Sequence, residues 1–175
     1  TFMNASHRRA LVLTVDGWGA GYLGPYGNAW LDTPACNQLA SEGMLVEHAI
    51  VDAPSIVPFF DGVWSGRHAA FTRADPPRSL AYTMAQRGRS SRLVTDCPTL
   101  AEHPLTEDFD LADCLPAETV ERAAESADQT GLARLLGTAL AVCEDESFDL
   151  MWIHGRGMRA AWDAPLEYRE QFRDE

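Results

Sequence analysis

Asp16 is the first residue of the sequence whose type and position could do chemistry. It follows residues 11–15, Leu-Val-Leu-Thr-Val, an apolar and β-branched run that is typical of a buried strand in a parallel sheet. Ligands of open α/β sheets bind at the carboxyl ends of the strands, so a carboxylate at this point is well placed to hold a metal ion. Alternatively, Asp16 only begins a turn with Gly17. The residues leave both interpretations open.

Length and composition predict a single α/β domain over residues 1–175. The chain has 175 residues, of which 46% are hydrophobic, which is enough for one core but too few for two domains of ordinary size. Its 26 acidic and 14 basic residues give a net charge of -12. This charge disfavours nucleic acids and anionic membranes as partners, because the attraction to phosphate groups would be reversed.

Cysteine spacing and apolar runs say little about the compartment of the protein. The four cysteines, at positions 36, 97, 114 and 143, contain no Cys-x-x-Cys pair, so we expect buried or half-buried thiols rather than a zinc site or a disulfide framework. No apolar run reaches the length of a bilayer-spanning helix, and residues 1–10 lack the hydrophobic core of a signal peptide. We expect a soluble protein of weakly constrained compartment, with the cytoplasm slightly favoured.

The elements that must position Asp16 alternate along the chain. Apolar, β-branched runs predict strands at residues 11–15, 45–51, 92–95 and 148–154. Capping residues and turn signals predict helices at residues 34–43, 58–65, 80–88 and 116–141, the last with a break near 129–131, and a terminal helix after Pro165. Residues 99–116 are otherwise predicted to be mostly loop. This alternation predicts a mostly parallel sheet with helices on both faces.

The order of these motifs resembles the N-terminal part of the sulfatases, in the alkaline phosphatase superfamily. The matching segments run along nearly the whole chain: VLTVDGWGAGYLGPYGN, TPACNQLASEGMLVEHAIVDAPS, PFFDGVWSGRH, MAQRGRSSRLVTD and FDLMWIHGRGMRAAWDAPLEYREQF. The resemblance implies the superfamily's α/β fold and one divalent metal ion, calcium in the family, with Asp16 as a ligand. A lone carboxylate does not hold such an ion without several more oxygens. Sulfatases carry those ligands in a later motif beyond Glu175, so we expect the fold to be incomplete at the C-terminus, either as a fragment or as a short family member.

The resemblance also implies that the catalytic nucleophile is missing. Sulfatases use the hydrated aldehyde of a modified cysteine or serine, which precedes a proline by two residues and a glycine by ten. Pro58 and Gly66 place this position at Ile56, whose side chain has no lone pair and cannot attack an ester. Three further positions, which carry arginine, lysine and histidine in the family, are occupied here by Phe60, Asp96 and Pro98, whereas the Asp16-Gly17 pair in place of two acids also resembles the mutase and phosphatase branches of the superfamily. A sulfate-binding histidine of the family aligns with Arg159, which we expect to bind an anion instead.

Ser55 is the hydroxyl nearest to the empty nucleophile position. A shift of one residue turns a side chain to another face of a strand or helix, so Ser55 does not simply replace the missing group. Serine is also a favoured residue at the start of a helix, and we interpret Ser55 as the cap of the helix that contains Pro58.

These observations predict a sulfatase-like protein that lacks standard sulfate-ester hydrolysis in this form and has no catalytic residue. The expected partner is a small sulfated or phosphorylated ligand, and an uncovered sheet edge leaves self-association open. Two alternatives remain. The full-length form could be an active metal-dependent sulfate or phosphate ester hydrolase that uses Asp16 and a bound water. The chain could also be a folded piece with no function of its own.

Overall fold

The computed structural model describes residues 8–68, 70, 78–117, 122–145, 148–159 and 162–170. Within these ranges, four strands form one sheet in which every neighbouring pair is parallel. They are β1 (Ala10–Val15), β2 (Ser91–Thr95), β3 (Leu111–Cys114) and β4 (Leu150–Gly155). The order across the sheet is β1-β4-β2-β3, so β4 lies between β1 and β2. The predicted parallel α/β sheet is confirmed.

Helices cover both faces of this sheet, as predicted. In the described part of the chain they are α1 (Pro34–Glu42), α2 (Ile56–Ser65), α3 (Leu80–Ala85), α4 (Pro98–Ala101), α5 (Gly131–Asp145) and α6 (Leu166–Glu170). None of these helices is long and apolar enough to cross a membrane.

Alternating side chains of β2 and β4 build two cores, one on each face of the sheet. On one face Leu93 and Trp152 pack against Phe60 and Trp64 of α2, together with residues of α3 and α4. On the other face the strand residues Val94, Met151 and Ile153 pack against the α5 residues Leu135, Ala139 and Val142. Both cores are apolar, so burial of these side chains holds the helices on the sheet.

Strand β1 is far less covered than its neighbours. Leu11 and Leu13 are 55% and 44% exposed, whereas every residue of β2 and β4 is buried. The cause is topological, because α5 packs on β2 and β4, while β1 lies at the end of the described sheet order. Among the described residues, β1 contributes to a core through Val12, which packs against the cluster around α2.

Three sequence-based assignments of secondary structure are wrong. Residues 45–51 form no strand but an exposed irregular segment, because a β-branched run is a strand only where a sheet offers it a partner. Residues 99–116 contain α4, a 3₁₀ segment at Pro104–Asp108 and β3, whose mostly exposed residues show no apolar periodicity. The long helix predicted from 116 begins only at Gly131, the predicted break, although residues 118–121 lie outside the described part.

The remaining differences are small. Helix α2 begins at Ile56, two residues earlier than its proline suggested. All four cysteines are free thiols, and Cys114 is exposed instead of buried because it lies on the thinly covered strand β3.

Candidate functional site at the carboxyl edge of the sheet

A polar row crosses the sheet where three strands end. Thr14 of β1, His154 of β4 and Thr95 of β2 are register partners, so they lie side by side at the carboxyl edge. The Thr14 hydroxyl lies 3.0 Å from His154 Nδ1, donates to the Ile153 carbonyl at 3.2 Å, and accepts from Trp152 Nε1 at 3.2 Å. The hydroxyl has a single proton, so we assign the His154 proton to Nδ1. His154 Nε2 then carries a lone pair and faces away from Thr14.

Asp16 lies opposite that lone pair. Its backbone is tied to the end of β4, since Asp16 N donates to the Gly155 carbonyl at 2.9 Å and Met158 N donates to the Asp16 carbonyl at 3.0 Å. The carboxylate oxygen Oδ2 is 4.0 Å from His154 Nε2, and neither buried atom has a hydrogen-bond partner among the described residues. Two acceptors that face each other across 4.0 Å leave room for a proton-bearing group or a cation between them.

Asp16 also begins a turn with Gly17, which is the alternative interpretation of this part of the sequence. The following residue, Gly17, has φ of +71°, a backbone conformation that favours glycine and reverses the chain direction after β1. The aspartate therefore begins a turn and presents a carboxylate at the sheet edge at the same time.

Burial sets the protonation of His154. The imidazole is only 1% exposed, and the Phe60 ring packs edge-on against it with ring centres 4.9 Å apart. Burial lowers the pKa of His154, and the charges of Asp16 and Asp96 oppose this shift only in part. His154 is therefore a neutral base at the sheet edge, which is the form that binds cations.

The nucleophile position predicted from the sequence lies at the start of α2. Ile56 is the first residue of the helix, and its side chain packs against the apolar cluster that includes Phe60 and Trp152. Phe60, the residue aligned with the family arginine, is 1% exposed. Ser55 occupies the cap position as predicted, but its side chain makes no capping hydrogen bond. The start of α2 thus presents hydrocarbon side chains to this region of the core.

Asp96 and Pro98, two further positions aligned with family residues, have local structural roles. Asp96 Oδ1 accepts a hydrogen bond from the backbone N–H of Arg156 at 2.8 Å, and its Oδ2 lies 3.6 Å from Arg156 Nε. Pro98 begins helix α4, where its missing N–H costs nothing. Arg156 itself was not predicted, although an arginine directly after the apolar run of β4 is the same kind of signal that singled out Asp16.

Arg159 lies beside the turn that follows β1. It is exposed in the 3₁₀ turn Gly157–Arg159, and its Cγ is 3.6 Å from the point where a Cβ on Gly17 would lie. The structure therefore brings together the two residues that the sequence proposed separately as metal ligand and anion-binding residue, Asp16 and Arg159. Their approach depends on Gly157, because a Cβ there would lie 2.7 Å from the Asp16 carbonyl oxygen.

The described residues do not complete a metal site. No group of three histidine, cysteine, aspartate or glutamate side chains that could hold an ion occurs in the part of the chain that the structure covers. Asp16 and His154 offer one carboxylate oxygen and one imidazole nitrogen, whereas a structural or catalytic zinc takes at least three protein ligands and calcium takes six to eight oxygens. A divalent ion would need further ligands to stay at this edge.

The chain is similar to a human arylsulfatase in sequence and to a bacterial periplasmic domain in structure. Over 103 residues the chain is 31% identical to arylsulfatase D of Homo sapiens, an alignment that covers 57% of this chain and 17% of that protein. The C-terminal periplasmic domain of EcEptC from Escherichia coli, crystallised in complex with zinc, superposes with a TM-score of 0.61 over 85% of this chain and 43% of that domain. At 15% identity this neighbour shows a shared fold, and as a periplasmic domain it gives no support to the expected cytoplasmic location.

The alignments span less than half the length of both proteins. No protein-family model matches the chain. The shared segment with arylsulfatase D and the alkaline phosphatase-like fold agree with the resemblance that the motifs indicated. Sequence and fold together relate this chain to the sulfatases of the alkaline phosphatase superfamily.

Proposed function

We propose that this chain is a sulfatase-like domain that binds a small anionic ligand but does not hydrolyse sulfate esters by the family's usual route. The observation that carries the proposal is the start of α2, where Ile56, the residue that the motif resemblance aligns with the nucleophile, packs against an apolar cluster. An aliphatic side chain can neither be converted to the aldehyde nor attack sulfur.

The surroundings of Ile56 support the same proposal. Phe60 replaces the arginine that would orient an aldehyde hydrate, and its buried ring contacts Trp64 and His154 instead of offering N–H donors. The replacement is accommodated by packing, because the centre of the Phe60 ring also lies within 6.1 Å of two further aromatic rings, those of Phe59 and Trp152. Restoring a nucleophile at position 56 alone would therefore still leave the site without the arginine that orients it in the family.

The ligand we propose is a small sulfated or phosphorylated molecule held near Arg159. This guanidinium is exposed beside the Asp16–Gly17 turn, so it can approach an anion that enters at the carboxyl edge. Arginine is well suited to this role because its planar donors match the oxygens of sulfate and phosphate.

The test is an ester-cleavage assay on the purified chain. We expect 4-nitrophenyl sulfate and 4-nitrophenyl phosphate to release no more nitrophenol than a buffer blank, with or without added Ca²⁺, Mg²⁺ or Zn²⁺. Turnover that requires a metal and is abolished by Asp16→Ala would refute the proposal. Asp32→Ala is the matched control, because Asp32 is an exposed aspartate that precedes α1.

A second candidate is an active metal-dependent sulfate or phosphate ester hydrolase in the full-length form of the protein. It is favoured by the two unsatisfied acceptors, Asp16 Oδ2 and His154 Nε2, which would each donate a lone pair to a cation. Neither acceptor has a hydrogen-bond partner among the described residues, and one bound cation would satisfy both of them.

This candidate is tested by metal analysis of the full-length protein after dialysis. If it is correct, about one equivalent of a divalent metal stays bound, and both Asp16→Asn and His154→Gln lower that content by about tenfold or more. His48→Gln, at an exposed position, should retain it. Protein that carries no metal after incubation with Zn²⁺ or Ca²⁺ would count decisively against this candidate.

A further inference from the structure

A cavity of about 400 Å³ opens on the α5 face of the sheet, separate from the Asp16–His154 pair. It lies at the carboxyl ends of the strands and is closed by the start of α5 and by residues 162–164. Residues from the ends of all four described strands or the segments after them reach it, among them Val15, Asp96, Leu115 and Gly157. Its position matches the edge at which α/β sheets bind ligands, and its size suits a small organic molecule.

The walls of this cavity are largely apolar and aromatic. Trp18 and Trp162 line it together with Met158 and Leu132, and the two tryptophans remain 41% and 56% exposed. Large aromatic side chains that remain exposed around a concave surface gain most from stacking on a ligand ring, while a thioether adapts to the ring's shape. This lining favours a flat aromatic group.

The polar groups that line the cavity favour a ligand with a hydrogen-bond acceptor. Asp163 Oδ2 accepts from the Gly131 backbone N–H at 2.5 Å and so caps α5, while Asp96 accepts from the Arg156 backbone. Both carboxylates are thus committed to protein donors. Arg156 also lines the cavity, its Nε lies 3.6 Å from Asp96 Oδ2, and its guanidinium carries four further N–H donors on Nη1 and Nη2. An acidic group on a ligand would accept hydrogen bonds from these Nη donors of Arg156.

We propose that this cavity binds an aromatic ligand that carries an acidic group, with its ring against Trp18 and Trp162 and its acid at Arg156. The proposal does not rest on the proposed function, because it involves neither Ile56 nor ester cleavage. A chain that cleaves esters could still have this pocket, and a chain that cleaves none could lack it.

The experiment is calorimetric titration with naphthalene-2-sulfonate and with the neutral analogue naphthalene-2-methanol. We expect the sulfonate to bind about tenfold more tightly than the alcohol, a difference of about 1.4 kcal/mol. Arg156→Gln should remove this preference while the alcohol still binds.

Two substitutions on α5 test whether the sulfonate binds in this cavity. Leu132→Trp places an indole in the cavity and should weaken sulfonate binding by about tenfold or more, whereas Leu140→Trp, on the same helix but outside the lining, should leave it unchanged. Circular dichroism melting confirms that both variants fold. The proposal is overturned if the sulfonate does not bind, if it binds no better than the alcohol, or if Leu132→Trp and Leu140→Trp bind it equally well.

Discussion

Strands β1 and β2 have similar sequence patterns but lie in different environments in the folded protein. Both are short and combine leucine with valine and threonine, yet Leu93 and Val94 are fully buried while Leu11 and Leu13 are about half exposed. The difference follows from the helices, because α2 and α5 sandwich β2 and β4, while among the described residues β1 contributes to a core through Val12. An apolar side chain can be buried, but the topology of the fold determines whether a helix covers it.

The helices repeat the same contrast. Helix α1 buries none of its residues, whereas α2 buries Phe60 and Trp64. The candidate site joins the two regions, since His154 lies in the buried sheet and Asp16 ends the exposed strand. The geometry of the site therefore depends on how firmly β1 is held to β4.

The largest effect should come from truncating an aromatic ring in the buried region. Phe60→Ala removes a ring that packs on Trp64, Trp152 and His154, so we expect the free energy of unfolding to fall by about 3–5 kcal/mol. Leu13→Ala, in the exposed region, should lower it by about 1 kcal/mol at most, because half of that side chain is already in water. Urea unfolding measures both, and equal losses would contradict the contrast between the two regions.

A smaller effect should follow from adding one methyl group at the junction of β1 and β4. Gly157 has φ of +49°, and a Cβ there would meet Val15 and the Asp16 carbonyl, so we expect Gly157→Ala to cost about 2–4 kcal/mol. Gly27 has φ of +94° with open space around it, and Gly27→Ala should cost only about 1–2 kcal/mol. Thermal melts of the two variants compare the same substitution in a tight and in an open site. A Gly157 variant no less stable than the Gly27 variant would show that β1 is not clamped at this point.

The smallest effect concerns pH. Because burial lowers the pKa of His154 below its unfolded value of about 6.5, the unfolded chain takes up a proton first as the pH falls. The folded state should therefore be fully stabilised above about pH 6.5 and lose stability below it. His154→Gln should flatten the dependence of unfolding free energy on pH between about 7 and 5, whereas His48→Gln, in the exposed segment, should not. Identical slopes in the wild type and in His154→Gln would exclude a buried neutral imidazole.

Much of the fold could be predicted because its signals are local. The strands that contain Leu13, Leu93 and Ile153, and the helix at Pro34, each combine an apolar pattern with a turn or capping residue, and all are present. The predicted strand around Ile50 failed because strand formation needs a neighbouring strand, which no local pattern specifies. Strand β3 was missed for the converse reason, since pairing with β2 makes a strand of residues with little apolar character.

The candidate site could be predicted only in part. Asp16 and Arg159 were identified one by one from their places in the motifs, and the structure places both beside the same turn. The sequence does not single out His154 or Arg156, although Arg156 directly follows the apolar run of β4 and both lie in the last segment that resembles the sulfatases. Their importance arises from contacts between residues about 60 to 140 positions apart in the chain.

The sequence by itself determined the class of the fold and the relation to sulfatases, and it predicts that Ile56 stands at the nucleophile position, because each of these depends on residue type and spacing. Tertiary structure alone decided that a neutral imidazole faces Asp16, that β1 is left half uncovered, and that two tryptophans line one cavity. These features depend on contacts between segments that are distant in the sequence. In a parallel sheet with the order β1-β4-β2-β3, neighbouring strands are far apart in the chain, so local sequence patterns do not specify which residues come into contact.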